Sequence, residues 1–406
     1  MSTASREHDI VVYGATGFVG LLTAKYLAAS APPDLRIALG GRSQAKLERT
    51  RAELGVEWPL VVAEGADRDA VRALAESTRV VATTVGPYLK YGKPLVEACA
   101  AAGTDYADLT GEVLFMRWSI DAADAAARAS GARIVHTCGF DSIPSDIGTL
   151  LLHEAAQAGG HGGLGETSLV VKSWRGSASG GTIDSARTTV DAVKKDPAGR
   201  RLLADPYALC PHRAADPDGG SERDSLKPRH DERLGGWLAP FVMGSVNTRV
   251  VRRSNALLDH AYGPGFRYRE LMLTGAGPLG LAKATGVAGG VGGLFAGLAV
   301  PGARQLLDRV LPDPGEGPSE EAREKGFFNI DIDTTTSGGE RLRCEIRAPG
   351  DPGYKATAVM LGESALCLAL DESHDVAGVL TPATAMGRAL ADRLNAAGHS
   401  YRVVPG

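Results

Sequence analysis

The chain has 406 residues, 44% of them hydrophobic and 23% charged. At roughly 150 residues per domain this length excludes a single small module, and ordinary globular usage excludes wholesale disorder. With 44 basic and 48 acidic residues the net charge is -4, without the basic excess of a general nucleic-acid binder. Five scattered cysteines (Cys99, Cys138, Cys210, Cys344, Cys367) form no CxxC pair and read as reduced thiols, not as a disulfide framework or a metal site. The polar stretch before Ile10 holds no apolar signal core, so a cytoplasmic protein is expected.

Residues 10–13 form a short apolar strand that ends in glycine, and 18–29 read as the helix that follows. Further strands fall at 37–39, 60–62, 80–85 and 134–136, and the short polar run 105–109 lies where another belongs. Alanine-rich helical stretches at 44–54, 69–76, 94–102 and 121–130 separate them. Strands alternating with helices predict βαβ units, so the fold class is α/β with an N-terminal Rossmann-type parallel sheet over 1–158.

The run Gly159-Gly160-His161-Gly162-Gly163 marks a boundary. Beyond it, strand-like runs at 169–174, 246–251, 267–273, 329–335 and 342–347 are separated by long irregular stretches. They predict a second α/β (α+β) domain over 159–374 built on a mixed sheet, with 210–236 as a surface excursion. Residues 284–303 carry no charge, and seven of the twenty are glycine. On a helix, Val287, Val291, Leu294, Phe295 and Leu298 share one face, and Gly289, Gly293 and Gly297 line another. Such a helix is buried, lines an acyl channel or touches a membrane, with burial the usual outcome for an apolar stripe. Thr381-Pro382 caps a final helix that ends before Gly398, with Met386, Leu390 and Leu394 as its apolar stripe. The segment 375–406 is expected to pack back on the first domain.

Gly14-Ala15-Thr16-Gly17-Phe18-Val19-Gly20 follows the first strand and opens a helix. Gly14 permits the tight turn, Gly17 lets backbone approach a pyrophosphate, and Gly20 lets helix and strand close on each other. The anion then meets the free N–H groups of Phe18 and Val19 at the positive helix end, with Thr16 beside it. The second strand decides which dinucleotide binds. NAD sites carry a carboxylate there for the ribose 2′-OH. Here Gly40-Gly41-Arg42-Ser43 offers none, while Arg42, Ser43 and Lys46 suit a 2′-phosphate, so NADPH is the expected cofactor. Asp67, after the third strand, is a candidate adenine contact or ordinary loop chemistry. Gly86 and Pro87, after the fourth, would bring backbone close to the nicotinamide ribose.

Hydride transfer to a polarised double bond needs a proton donor and a partner for the developing oxyanion. Tyr88, Tyr106, Asp108, Asp141 and Ser142 are candidates at strand ends, with helix capping the competing role for each aspartate. His136 reads as a satisfied core histidine.

These motifs together resemble the saccharopine dehydrogenase-like oxidoreductases. The shared landmarks are the 14–20 turn, Gly40-Gly41-Arg42-Ser43, Thr84-Val85-Gly86-Pro87-Tyr88, the run 106–112 and Cys138-Gly139-Phe140-Asp141-Ser142-Ile143-Pro144. Gly180-Gly181-Thr182 and Pro349-Gly350-Asp351-Pro352-Gly353-Tyr354 add to them. Within that group the chain is most similar to trans-acting enoyl reductases, which work on polyketide-synthase products in lipid assembly. The resemblance implies a substrate cleft between two domains and NADPH-dependent reduction of an α,β-unsaturated acyl thioester. Its implied partners are a small-molecule or carrier-bound acyl substrate and a polyketide synthase that presents it; a homodimer and a peripheral membrane contact are also expected, with no nucleic acid. Two other readings stay open: an NADP(H)-binding sensor or scaffold, and an amino-acid dehydrogenase using Arg249, Arg252 and Arg253 as its basic cluster.

Overall fold

The computed structural model describes residues 6–177, 180–216, 222–224, 227–300, 302, 317–371 and 376–406. In chain order its strands are β1 (His8–Tyr13), β2 (Ile37–Gly41), β3 (Leu60–Val62), β4 (Thr78–Thr83), β5 (Asp105–Asp108), β6 (Arg133–Val135) and β7 (Leu164–Arg175). There follow β8 (Arg229–Asp231), β9 (Gly236–Pro240), β10 (Arg267–Gly275), β11 (Phe327–Thr336), β12 (Arg341–Pro349), β13 (Gly378–Leu380) and β14 (Ser400–Pro405).

One sheet runs β13-β6-β5-β4-β1-β2-β3 and is parallel throughout. Its interior strand β1 is buried along its whole length, because a parallel sheet is covered on both faces. Ile10, Val12, Leu39, Val80 and Ala107 face one core, and Val11, Tyr13, Ala38, Val81 and Tyr106 face the other. Helices Phe18–Ser30 and Lys355–Leu370 pack on the first side, and Arg68–Ser77, Lys93–Ala102 and Val113–Ser130 on the second. The second sheet runs β14-β12-β11-β7-β10-β9-β8 and is mixed, with β7 and β10 parallel and its other pairs antiparallel. Helix Ile143–Ala158 starts just past β6 and lies on β11 and β12, so one rigid element links the two sheets.

The chain end serves both sheets. β13 extends the first beside β6, and β14 borders the second beside β12. The expected final helix is two, Pro382–Ala385 and Gly387–Ala396, broken where Gly387 takes a φ of 53°. Thr381 caps the first with the expected hydroxyl, and Met386, Leu390 and Leu394 are buried.

Three expectations are corrected. The run 246–251 is not a strand but part of helix Gly244–Leu257. Its valines looked β-branched and strand-like, yet Asn247, Val250, Val251 and Ser254 are buried at helical spacing, and tertiary packing overrode propensity. The excursion 210–236 ends in a short hairpin partner, since β8 pairs with β9; residues 217–221 and 225–226 lie outside the described set. The glycine-rich helix runs Gly277–Ala299, seven residues earlier than expected, and is not buried. Leu279 is 67% exposed, and Cβ atoms at Gly289 and Gly293 would meet open space. Ala284 and Leu298 are its buried contacts, while the side chains of Val291, Leu294 and Phe295 lie outside the described set. Among the described residues no helix is long and apolar enough to cross a membrane.

The helix that links the sheets yields a stability test. A Cβ at Gly148 would lie 2.7 Å from both Ile332 Cδ1 and Ile346 Cδ1. Gly148→Val should therefore destabilise the protein by about 1–3 kcal/mol through overpacking. Urea unfolding reads this directly, and an unchanged midpoint contradicts the packing.

Candidate active site

An open parallel sheet holds its ligand at the carboxyl ends of its strands. Here those ends carry the turn at 14–20 after β1, Arg42-Ser43 after β2, Thr84–Pro87 after β4, the loop at 109–112 after β5 and Thr137–Ser142 after β6. Gly14 takes a φ of +92°, and a Cβ there would fall 2.8 Å from Thr84 Oγ1 and Val85 Cγ2. Its carbonyl accepts from Gly17 N–H at 2.9 Å and from Thr84 Oγ1 at 3.3 Å. A Cβ at Gly20 would lie 2.8 Å from the Gly14 carbonyl carbon and 2.9 Å from Thr84 Oγ1, so only glycine lets the helix close on the turn. Gly17 caps helix Phe18–Ser30 without any side-chain cap bond, and no acidic residue occupies the first turn. The positive end of that helix is thus open, as an anion requires. Thr16 and Gly17 are exposed, while the Phe18 ring is held edge-on by Tyr354 at 5.1 Å and beneath the Arg323 guanidinium at 5.1 Å. Phe18 and Val19 therefore offer backbone to a ligand.

At the end of β2, Arg42 and Lys46 are exposed and make no ion pair among the described residues. Ser43 is the N-cap of helix Gln44–Leu54, yet its side chain makes no cap bond. Two cations and a hydroxyl at a helix N-terminus suit a phosphate monoester on a ribose. Asp67 does not share in this. Its Oδ1 accepts from the N–H groups of Asp69 and Ala70 at 3.0 and 3.1 Å, the cap of helix Arg68–Ser77. Gly86 is exposed beside this region and Pro87 is buried.

The candidate catalytic residues separate into two kinds. Tyr88, Tyr106 and Asp108 are buried and fully engaged. The Tyr88 hydroxyl donates to Thr83 O and accepts from Leu109 N–H, each at 3.2 Å. Tyr106 donates to Asp108 Oδ2 at 2.9 Å, and His136 Nδ1 pairs with the same oxygen at 2.8 Å. Asp108 Oδ1 accepts from Thr110 N–H at 3.0 Å and Thr137 N–H at 3.1 Å. His136 completes its bonding to Ser119 Oγ at 2.9 Å, the satisfied core histidine expected from sequence. Burial drives both tyrosine hydroxyls well above their ordinary range, with the Asp108 charge second. These groups hold the ends of β5 and β6 together beneath the site. They also hold Thr137 at a φ of 63°, a left-handed conformation rare for a β-branched residue and characteristic of functional loops.

Asp141 is different. The residue is half-buried, its carboxylate makes no hydrogen bond or ion pair among the described residues, and burial pushes it up to about 6. Helix Ile143–Ala158 begins just after it, with Pro144 in the first turn, so the predicted helix start is present without Asp141 as its cap. Ser142 turns inward. Its hydroxyl donates to Asn247 Oδ1 at 2.9 Å, and Asn247 Nδ2 donates to Glu270 Oε2 at 2.8 Å. That tie joins the β6 loop to the second sheet.

Two features take roles that the sequence did not give them. Glu112 is buried, and its Oε1 accepts from Tyr88 N–H and Ser185 Oγ, each at 2.7 Å, while Oε2 accepts from Leu89 N–H at 2.9 Å. Burial raises its carboxyl and these donors lower it. It fastens helix Gly180–Val193 to the loop that carries Gly86 and Pro87. Its position, just before an apolar helical run and after two hydrogen-bonding residues, was the available signal. The second feature is the arginine trio. Arg249 and Arg252 pair with Asp224, Arg252 also with Glu222, and Arg253 donates to the carbonyls of Leu209 and Val379. All three are buried, so the basic cluster proposed for substrate carboxylates is spent on structure. No group of metal-ligating side chains occurs among the described residues.

Residues 10–135 match the family described as the saccharopine dehydrogenase NADP binding domain. A Mycobacterium tuberculosis protein provisionally named a trans-acting enoyl reductase is 51% identical over 418 residues, covering 99% of each chain. A trans-acting enoyl reductase of Mycobacterium ulcerans is 47% identical over 411 residues, covering 97% of each. Among solved structures, apo saccharopine dehydrogenase (L-Glu forming) from Saccharomyces cerevisiae shares the fold, with a TM-score of 0.55 at 13% identity over 98% of this chain and 100% of that one.

The unpaired Asp141 makes a stability prediction whose sign is fixed. Its folded pKa of about 6 stands above the unfolded 3.8, so the folded state holds its proton more tightly and stability falls as pH rises across that window. Asp141→Asn removes the burden. The variant should be more stable than wild type above pH 6, by about 1–2 kcal/mol after discounting for partial exposure, and equal to it near pH 4. Thermal unfolding at both pH values checks this, and destabilisation at pH 7 contradicts it.

Proposed function

This chain belongs to the family of trans-acting enoyl reductases, and we propose that it reduces the C=C bond of an enoyl thioester with NADPH. The substrate is an acyl group carried on a thiol, as a polyketide synthase would present it. One observation carries the reading most: an open helix N-terminus and an uncommitted Arg42-Ser43-Lys46 set converge on one sheet edge, with an unpaired acid, Asp141, on another loop of that edge.

When bound, NADPH supplies the hydride that adds to the β-carbon. The residues of the chain do the rest. Gly14, Gly17 and Gly20 let the turn close beside the diphosphate, Thr16, Phe18 and Val19 offer it backbone N–H groups, and Arg42, Ser43 and Lys46 take the 2′-phosphate. Gly86 and Pro87 shape the ribose side, and Asp67 serves by capping its helix. Asp141 holds a proton below about pH 6 and donates it to the α-carbon as charge builds on the acyl group. Tyr88, Tyr106 and Asp108 act as positioning residues that fix the loops on either side. The amino-acid dehydrogenase reading loses its support with the arginine trio committed elsewhere.

Two experiments test this. Arg42→Ala should weaken NADPH by about tenfold or more while leaving NADH affinity nearly constant, because a charge-assisted phosphate contact is worth about 1.5–3 kcal/mol. Equal affinity of the wild-type protein for both cofactors contradicts the 2′-phosphate site. Turnover of enoyl thioesters, followed as NADPH absorbance, should decline as pH rises through about 6, when Asp141 loses its proton. Asp141→Asn should lower kcat by about 100-fold or more. A flat pH profile with an active Asn variant assigns the proton to another group.

A further inference from the structure

The loops around Asp141 are more apolar than a proton donor alone requires. Phe140, its direct neighbour, packs against Phe328 at 4.7 Å between ring centroids and against Phe241 at 6.4 Å. Leu109, from the loop after β5, lies against the same corner: a Cβ at Gly139 would fall 2.8 Å from Leu109 Cδ2. Across from it, Phe241, Val242 and Met243 form the connection between β9 and helix Gly244–Leu257. Val242 is 44% exposed, and Phe241, Met243 and Val246 are partly exposed. Gly111 meets this arm closely, since a Cβ there would touch Met243 Cε at 3.5 Å and Val246 Cγ2 at 4.0 Å. These side chains come from both sheets, remain half-open and carry no charge. Asp141 borders them, with burial raising its carboxyl, and Glu270 backs Gly244, where a Cβ would lie 3.4 Å from Glu270 Cβ.

We propose that Leu109, Phe140, Phe241, Val242, Met243 and Val246 form the wall that holds the alkyl chain of the substrate and sets the chain length the enzyme accepts. The assignment rests on the enoyl reductase reading and adds to it the residues that choose among acyl groups. A long chain is the fitting occupant because the wall is continuous with the proton-donating corner. A chain attached at the reacting carbons must leave that corner along some surface, and this one is apolar and uncharged. Gly111 leaves room beside Met243 and Val246 that a larger side chain would fill.

Kinetics with trans-2-enoyl-CoA thioesters of four, eight and twelve carbons test the wall. Wild-type kcat/KM should rise with length. Val242→Asp puts a charge on an already exposed position, so the fold tolerates it. It should lower the twelve-carbon kcat/KM at least tenfold more than the four-carbon value, a difference of ~1.4 kcal/mol. Gly111→Leu, which has no backbone conformation to strain, should shift the preference toward the four-carbon substrate. Calorimetric binding of saturated twelve-carbon acyl-CoA gives a second readout free of turnover, and Val242→Asp should weaken it at least tenfold. Unchanged length ratios and unchanged acyl-CoA affinity in both variants overturn the wall. No turnover of any thioester by the wild-type enzyme overturns the reductase reading instead, and the binding arm still decides whether the wall takes acyl chains.

Discussion

The Gly14 carbonyl and the first turn of helix Phe18–Ser30 approach so closely that no side chain fits between them. That contact aims the helix axis at the end of β1, and Thr84 locks it from β4 by donating to the same carbonyl. With the turn closed, the open N–H groups of the helix and the cationic end of β2 face the same side of the sheet. A single Cβ at Gly20 would push the helix away and scatter that arrangement. Water satisfies these exposed donors in the free protein, and an anion at the positive helix end can take its place.

Buried carboxylates divide the labour around it. Asp108 accepts four hydrogen bonds and Glu112 three, and each holds loops from different strands or helices in register. Glu270 does the same from the second sheet, where burial pushes its carboxyl up to about 7 while Tyr268 and Asn247 donate to it. Such fully satisfied networks rigidify a site, and their cost falls on any variant that removes one partner. Asp141 stands apart because nothing in the described protein satisfies it. An acid kept unpaired, with its carboxyl pushed up to about 6, is ionised near neutrality at a cost to the fold, and functional sites are where such costs are retained.

Much of this was legible in the chain. The first six strands and most of the helices between them followed from alternation and glycine spacing, because local periodicity and tertiary packing agree in a βαβ unit. The cofactor loops followed for the same reason: turn chemistry at Gly14, Gly17 and Gly20 is local. The second sheet was harder. Val246, Val250 and Val251 looked like a strand but lie on a helix, where burial at helical spacing outweighed β-propensity. β13 and β14 each pair with partners distant in sequence, and short edge strands carry no periodic signal of their own. The catalytic candidates fall at neighbouring strand ends, but the sequence did not divide their roles. Sequence presents Asp108 and Asp141 alike as aspartates at strand ends, and only their hydrogen bonds separate a scaffold from a free acid. The arginines at 249, 252 and 253 misled in the same way, since a cluster in sequence does not reveal that its partners are buried carbonyls and acids.

The central claim is a reduction across a carbon–carbon double bond, with hydride and proton arriving from different sources. Mass spectrometry of the product formed from an enoyl thioester and C4-deuterated NADPH tests it most directly. The account predicts one deuterium at the β-carbon and one solvent hydrogen at the α-carbon. Deuterium on a carbonyl-derived carbon, or none in the product while NADPH is consumed, would contradict it.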